Sequence, residues 1–219
     1  DCGAEAPEWA AINLGLMMCI ECSGVHRNLG VHVSQVRSLT LDQWGPSVQQ
    51  LMEALGNARS NAVWEASAPD GVGSGEGGER LEKPCATGKN ASKVTRQARE
   101  AWIRAKYVDH AFISTDFGAG KTGGTNGGIG DEWLHRALYE AAGKGDCQAV
   151  MDALAHGADI NWVNRDGTTA VHLSCAHGHL GCLELLLANG GMNSVYLEDV
   201  KMMAPLDYAE GKAAIGSGS

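Results

Sequence analysis

Three cysteines near the start of the chain have a spacing that can do chemistry. Cys2 is followed by sixteen residues and then by Cys19-Ile20-Glu21-Cys22. Paired C-x2-C knuckles bring four thiolates to about 2.3 Å from a zinc ion, and the separation here suits such a module. The second knuckle is complete, while the first needs a cysteine three positions before Cys2, ahead of residue 1. Three metal ligands, Cys2, Cys19 and Cys22, are therefore visible and a fourth is inferred; His26 or His32 could stand in for it. Two other readings stay open. The thiols could simply be buried, or Cys19 and Cys22 could be a redox pair, although such a pair belongs to an α/β pattern that the sequence lacks.

The surrounding residues say how the knuckle is held. Trp9 to Met18 reads as a short strand entering it, and Cys22 to Leu29 as a helical turn stopped at Gly30. Val31, Val33 and Val36-Arg37-Ser38-Leu39 suggest a β-branched strand. After Pro46, the spacing of Val48, Leu51, Met52, Leu55, Ala58 and Ala62 predicts one amphipathic helix from Ser47 to Trp64, with Ser47 near its cap. Residues 66–90 read as a glycine-rich loop and residues 91–111 as a further helix. That last stretch holds Arg96, Arg99, Arg104 and Lys106, a potential local basic patch.

Composition narrows the class. The 219 residues carry a formal charge of -9, which argues against nucleic acid as the main partner, because phosphate binding needs a basic face. No apolar run reaches the ~18 residues of a membrane-spanning helix. Seven cysteines with no secretion signal favour metal or redox chemistry over a disulfide framework, and hence a cytoplasmic protein. Many of the thirty glycines lie around Gly71–Gly78 and Gly118–Gly130, as punctuation between folded parts. Gly118-Ala119-Gly120-Lys121-Thr122 is not a phosphate-binding loop, since Thr115 stands where that pattern requires glycine.

The last third repeats itself. Leu138, Ala142, Gly145, Val150, Leu154 and Gly157 recur 33 residues later as Val171, Cys175, Gly178, Leu183, Leu187 and Gly190. That is the ankyrin period, and a third copy begins at Ala204-Pro205-Leu206-Asp207. His172 and His177 fit the repeat as residues that tie turns together, with His135 in a similar part. The expected architecture is an α+β zinc-finger domain over 1–113, a glycine-rich linker over 114–131, and an all-α ankyrin-repeat solenoid over 132–212.

Cys2-x16-Cys19-x2-Cys22-x4-Arg27 resembles the signature of the Arf GTPase-activating (ArfGAP) domain. Trp9-Ala10-Ala11-Ile12-Asn13-Leu14-Gly15, Cys19 to Gly30, Val36 to Asp42, Leu55-Gly56-Asn57, Val63-Trp64-Glu65 and Ile103-Arg104-Ala105-Lys106-Tyr107 look like the same family. An activating domain directly before ankyrin repeats resembles the subgroup that also carries coiled-coil or BAR and PH modules. The resemblance implies a four-cysteine zinc site, with Zn2+ as structural cofactor. It also implies a GTP-bound Arf-family GTPase as partner, and Arg27 as an arginine finger supplied to that GTPase. The chain is then an activator and not a hydrolase by itself. Trp9, Ile12, Arg37 and Asp42 are candidates for the partner-facing surface; Trp9 and Ile12 could equally be core residues supporting the knuckle. The repeats imply a further protein partner. Membrane recruitment would come through modules outside this sequence. The competing reading is a non-catalytic scaffold of zinc module plus ankyrin repeats, which would have no need of Arg27.

Overall fold

The computed structural model describes residues 1–68, 81–85, 94–115 and 130–212. The glycine-rich stretches 71–78 and 118–129, including the Gly118–Thr122 sequence, lie outside the described residues. The chain forms two compact units. The first comprises Asp1–Gln43 and Gly56–Thr115, and the second Trp44–Leu55 and Asp116–Ser219.

The first unit is built on a small antiparallel sheet of order β2-β1-β3. β1 (Trp9–Ala11) and β2 (Leu16–Met18) form a hairpin, not the single strand that the sequence suggested. A 3-10 turn over Ile12–Leu14 connects them, and Gly15 closes it at φ 64°, where a side chain would be strained. β3 is only Val36–Ser38. The preceding valines do not extend it, because local bonds claim that backbone. Val33 and Ser34 donate their amides to Gly30 O at 3.1 and 3.0 Å. Asn13 takes more of it: its Nδ2 donates to Val33 O at 3.0 Å and its Oδ1 accepts from Gln35 N at 2.8 Å.

α1 (Ile20–Leu29) starts at Cys19 and ends at Gly30, whose φ of 90° no residue with a Cβ adopts easily. α3 (Gly56–Trp64) packs on β2. α4 (Arg96–Tyr107) packs on α1, and Thr95 caps it by accepting from Ala98 N at 3.1 Å.

The helix expected over 47–64 is two helices. α2 (Pro46–Ala54) has Gly45 as its N-cap and Pro46 in the first turn, and the chain breaks at Gly56, φ 62°. Ser47 is therefore not the cap. Its hydroxyl instead donates to Glu184 Oε2 at 2.7 Å. α2 belongs to the second unit, where it lies on α8 (Leu180–Ala188) with Leu51 fully buried. Residues 44–55, inside the stretch expected as the first domain, thus group with the second compact unit.

The remainder of the second unit is helix pairs: α5 (Gly130–Lys144) with α6 (Cys147–Ala155), then α7 (Ala170–Ala176) with α8. Gly145 and Gly178 follow the first helix of each pair at φ 72° and 69°, and Gly157 and Gly190 follow the second at 88° and 110°. One backbone geometry recurring at one period is the physical content of the repeat. Thr169 and His172 form a capping box at the start of α7, His177 Nδ1 donates to Leu173 O at 3.0 Å, and His135 Nδ1 accepts from Asp159 N at 2.9 Å. α9 (Pro205–Ala209) opens the third copy. Among the described residues no helix is long and apolar enough to cross a membrane.

Candidate functional site

The hairpin and α1 bring the three cysteines together. Cys19 ends the turn after β2 and caps α1, and Cys22 lies one turn inside that helix. Cys2 arrives from the other side, with its Sγ 3.6 Å from Cys19 Sγ. All three sulfurs lie within 4.8 Å of one another and form a three-member group among the described residues. Tetrahedral zinc–thiolate bonds of about 2.3 Å place neighbouring sulfurs about 3.8 Å apart. The observed spacing fits that requirement. A hydrogen bond from Cys22 pulls the Cys2 thiol down to about 5, and the same bond, with burial, pushes the Cys22 thiol up. Cys19–Cys22 does open a helix after a strand, as a redox motif would, but the sheet is antiparallel and a third sulfur sits at contact.

Neither histidine considered as a stand-in ligand joins the cluster. His26 is fully buried, and both of its ring nitrogens are engaged: Nδ1 with Ser34 Oγ at 2.8 Å and Nε2 with Asp1 Oδ2 at 3.0 Å. Burial is the chief cause that lowers its pKa to about 3. His32 is exposed and lies against Gly30.

Behind His26 is a buried polar network centred on Lys106. Lys106 Nζ reaches Glu65 Oε1 and Asn61 Oδ1 at 2.7 Å and Asp1 Oδ1 at 3.3 Å, and Tyr107 donates to Asp1 Oδ1 at 3.0 Å. Lys83 also pairs with Glu65. Burial lowers the Lys106 ammonium to about 8 against the opposing pull of Glu65.

The four basic residues of α4 therefore form no common surface patch. Arg96 and Arg104 are exposed, Lys106 is fully buried, and Arg99 is 9% exposed with its Nη1 at 3.5 Å from Cys22 Sγ and 3.8 Å from Cys19 Sγ. A signal for this was available. Arg99, Trp102, Ile103 and Lys106 share one helical stripe, and charged residues in an apolar stripe demand buried partners.

Arg27 lies on the exposed side of α1, five residues past Cys22, and its guanidinium stacks over the Trp9 ring, 4.2 Å from the centroid. Trp9 is half-buried on β1. The other three surface candidates separate. Ile12 is 1% exposed, so it supports the module from inside, which corrects its assignment to a partner surface. Arg37 is exposed, but the register sets it beside Ala10, on the face opposite Trp9. Asp42 is exposed and accepts from Ser38 N at 2.6 Å, closing the turn after β3.

Comparison with known proteins gives the family. Residues 1–116 match the ArfGap family, described as GTPase activating protein for Arf, and residues 134–187 match ankyrin repeats. "Arf-GAP with coiled-coil, ANK repeat and PH domain-containing protein 2" of Rattus norvegicus is 33% identical over 95% of this chain and 34% of its own length. "Arf-GAP with coiled-coil, ANK repeat and PH domain-containing protein 3" of Homo sapiens is 50% identical over 52% of this chain and 12% of its own. "ADP-ribosylation factor GTPase-activating protein AGD3" of Arabidopsis thaliana is 38% identical over 74% of this chain and 20% of its own. The chain thus spans about a third or less of the length of these relatives. With the cysteine cluster, the ordered motifs and the 33-residue repeat in one chain, the protein belongs to the ArfGap family and carries ankyrin repeats after its ArfGap segment.

Proposed function

We propose that the first unit stimulates GTP hydrolysis by an Arf-family small GTPase, with Arg27 inserted in trans as the arginine finger. The observation that carries this reading is the position of Arg27: exposed, and anchored one turn beyond Cys22 on the helix that the cysteine cluster pins. Small GTPases react slowly because charge developing on the phosphoryl oxygens is poorly stabilised, and an arginine supplied from outside can raise the rate by ~10³–10⁵. A guanidinium is planar and permanently charged, so it bridges phosphate oxygens in a way that an ammonium does not. Mg2+ and the nucleotide belong to the GTPase. This chain contributes the guanidinium, its placement, and the surface that excludes water around it.

Cys2, Cys19 and Cys22 would hold a structural zinc, with a fourth thiolate upstream completing the set. A metal held by these residues would fix the start of α1 and would supply no chemistry to hydrolysis. Trp9 flanks Arg27 at the partner-facing edge, while Arg37 and Asp42 lie elsewhere on the exposed surface of the sheet end. The helix pairs of the second unit stack as an ankyrin solenoid that presents a face to a second protein. The relatives' names include coiled-coil and PH domains. Recruitment of a cytoplasmic protein to membranes through such modules is the corresponding expectation for the whole molecule.

The test is single-turnover hydrolysis on GTP-loaded Arf proteins, with zinc content measured on the same sample by mass spectrometry. One zinc per chain and a large acceleration support the reading. One zinc per chain with no acceleration on any Arf-family GTPase leaves the scaffold reading in its place.

A further inference from the structure

Arg99 is a permanent cation in a place where cations are costly. It is 9% exposed, it comes from α4, and it lies 77 residues from Cys22 in sequence. A guanidinium taken out of water needs an anion, and losing that anion typically costs several kcal/mol. The exposed Glu21 carboxyl interacts with it electrostatically, but among the described residues no carboxylate lies within ion-pair distance of it. The groups it does reach are the two knuckle sulfurs, at 3.5 and 3.8 Å from a single nitrogen, Nη1. These are N–H···S distances.

We infer that Arg99 is a positioning residue of the metal centre: its guanidinium bridges the Cys19 and Cys22 thiolates, neutralises part of their charge, and ties α4 to the knuckle. The inference rests on the zinc reading above and goes beyond it. Zinc with four thiolates carries a net charge of -2, which a protein interior tolerates only with donors aimed at the sulfurs. α1 supplies a backbone framework for Cys19 and Cys22, but a helix dipole alone does not neutralise that charge. Arg99 supplies a full charge and a hydrogen-bond donor from a separate element. Lysine is a weaker substitute, because its ammonium is a more strongly hydrated point charge on a flexible stem and loses more on burial than a planar guanidinium. The arrangement also has a mechanical consequence. α4 packs on α1, so a bond between Arg99 and the knuckle sulfurs holds the helix that presents Arg27 from both its start and its flank.

The experiment compares the wild-type chain with Arg99→Gln, Arg99→Lys and a control on the same helix, Arg96→Gln. Zinc affinity is measured by competition with a chromophoric chelator, and the cobalt-substituted forms are measured by absorption spectroscopy. Loss of a partner at this distance from a metal typically weakens affinity 10–100-fold. Arg99→Gln is expected in that range, Arg99→Lys in between, and Arg96→Gln within twofold of wild type. The sulfur-to-cobalt charge-transfer band should move to lower energy in Arg99→Gln, because a thiolate without its donor gives up charge more readily. A residue with a merely structural role would leave that band in place. If Arg99→Gln does not fold, the band and affinity of Arg99→Lys carry the comparison. Wild-type zinc binding at one per chain, with unchanged affinity and spectrum in the Arg99 variants, overturns the inference while leaving the zinc site standing. Failure of the wild-type chain, extended to include the upstream cysteine, to bind zinc overturns the zinc reading itself.

Discussion

The Arg27 guanidinium lies 4.2 Å above the centre of the Trp9 ring, so the residue proposed as the arginine finger is parked on an aromatic platform. Such a stack contributes about 0.5–1 kcal/mol at exposed sites, enough to bias one rotamer without locking it. Trp9→Phe keeps a platform and should leave activation within about twofold by this energy scale, while Trp9→Ala should lower it several-fold more. Single-turnover rates measure both. Equal rates in Trp9→Ala and wild type would show that the stack is incidental.

Lys106 balances two buried carboxylates, Asp1 and Glu65, at the centre of the first unit. Lys106→Ala takes the shared cation from Asp1 and leaves Glu65 with Lys83 alone, and breaking a buried pair in this way costs about 3–5 kcal/mol. Urea unfolding followed by tryptophan fluorescence should show that loss. A change below about 1 kcal/mol would mean that the network is solvated.

His26 makes a pH-dependent contribution with a definite sign. Its folded pKa is lowered to about 3, chiefly by burial, against an ordinary value near 6.5. Below the ordinary value the unfolded chain takes up a proton that the folded chain refuses. The contribution is therefore fully present above about pH 6.5 and is lost progressively as pH falls toward 3, by up to about 1.4 kcal/mol per unit. Long-range nitrogen–proton spectra should show a neutral ring at pH 5.5. A ring protonated at that pH contradicts the buried geometry.

Two glycines separate backbone strain from packing. A Cβ at Gly157 would meet nothing within 4 Å, yet its φ is +88°. Gly157→Ala should destabilise the second unit by roughly 1–2 kcal/mol through backbone strain alone. Gly24, inside α1, is equally uncrowded, and Gly24→Ala should stabilise the first unit by roughly 0.5–1 kcal/mol. Thermal unfolding of each variant reads both signs.

Local patterns in the sequence carried much of this architecture, for identifiable reasons. The cysteine knuckle, the Gly30 stop and the 33-residue repeat are short-range regularities, and each has a direct structural counterpart. The break at Gly56 was hidden because Leu55 and Ala58 continue an apolar spacing across it; only the positive φ of the glycine distinguishes two helices from one. The assignment of α2 to the second unit depends on Leu51 and Ser47 meeting α8, more than 100 residues away. The buried roles of Asp1, Glu65, Arg99 and Lys106 depend on partners 18 to 105 residues distant. In Arg99 and Lys106 the clue was their place in the buried stripe of α4.

The central claim is that Arg27 supplies the missing charge in the partner's transition state. Arg27→Lys keeps a cation on an exposed helix position and should not disturb the fold or the cysteine cluster. The decisive measurement is single-turnover GTP hydrolysis by an Arf protein, with wild-type and Arg27→Lys chains matched for zinc content and thermal stability. The account predicts that acceleration collapses by about 10³-fold or more in the variant. Acceleration retained within a few-fold of wild type would contradict it.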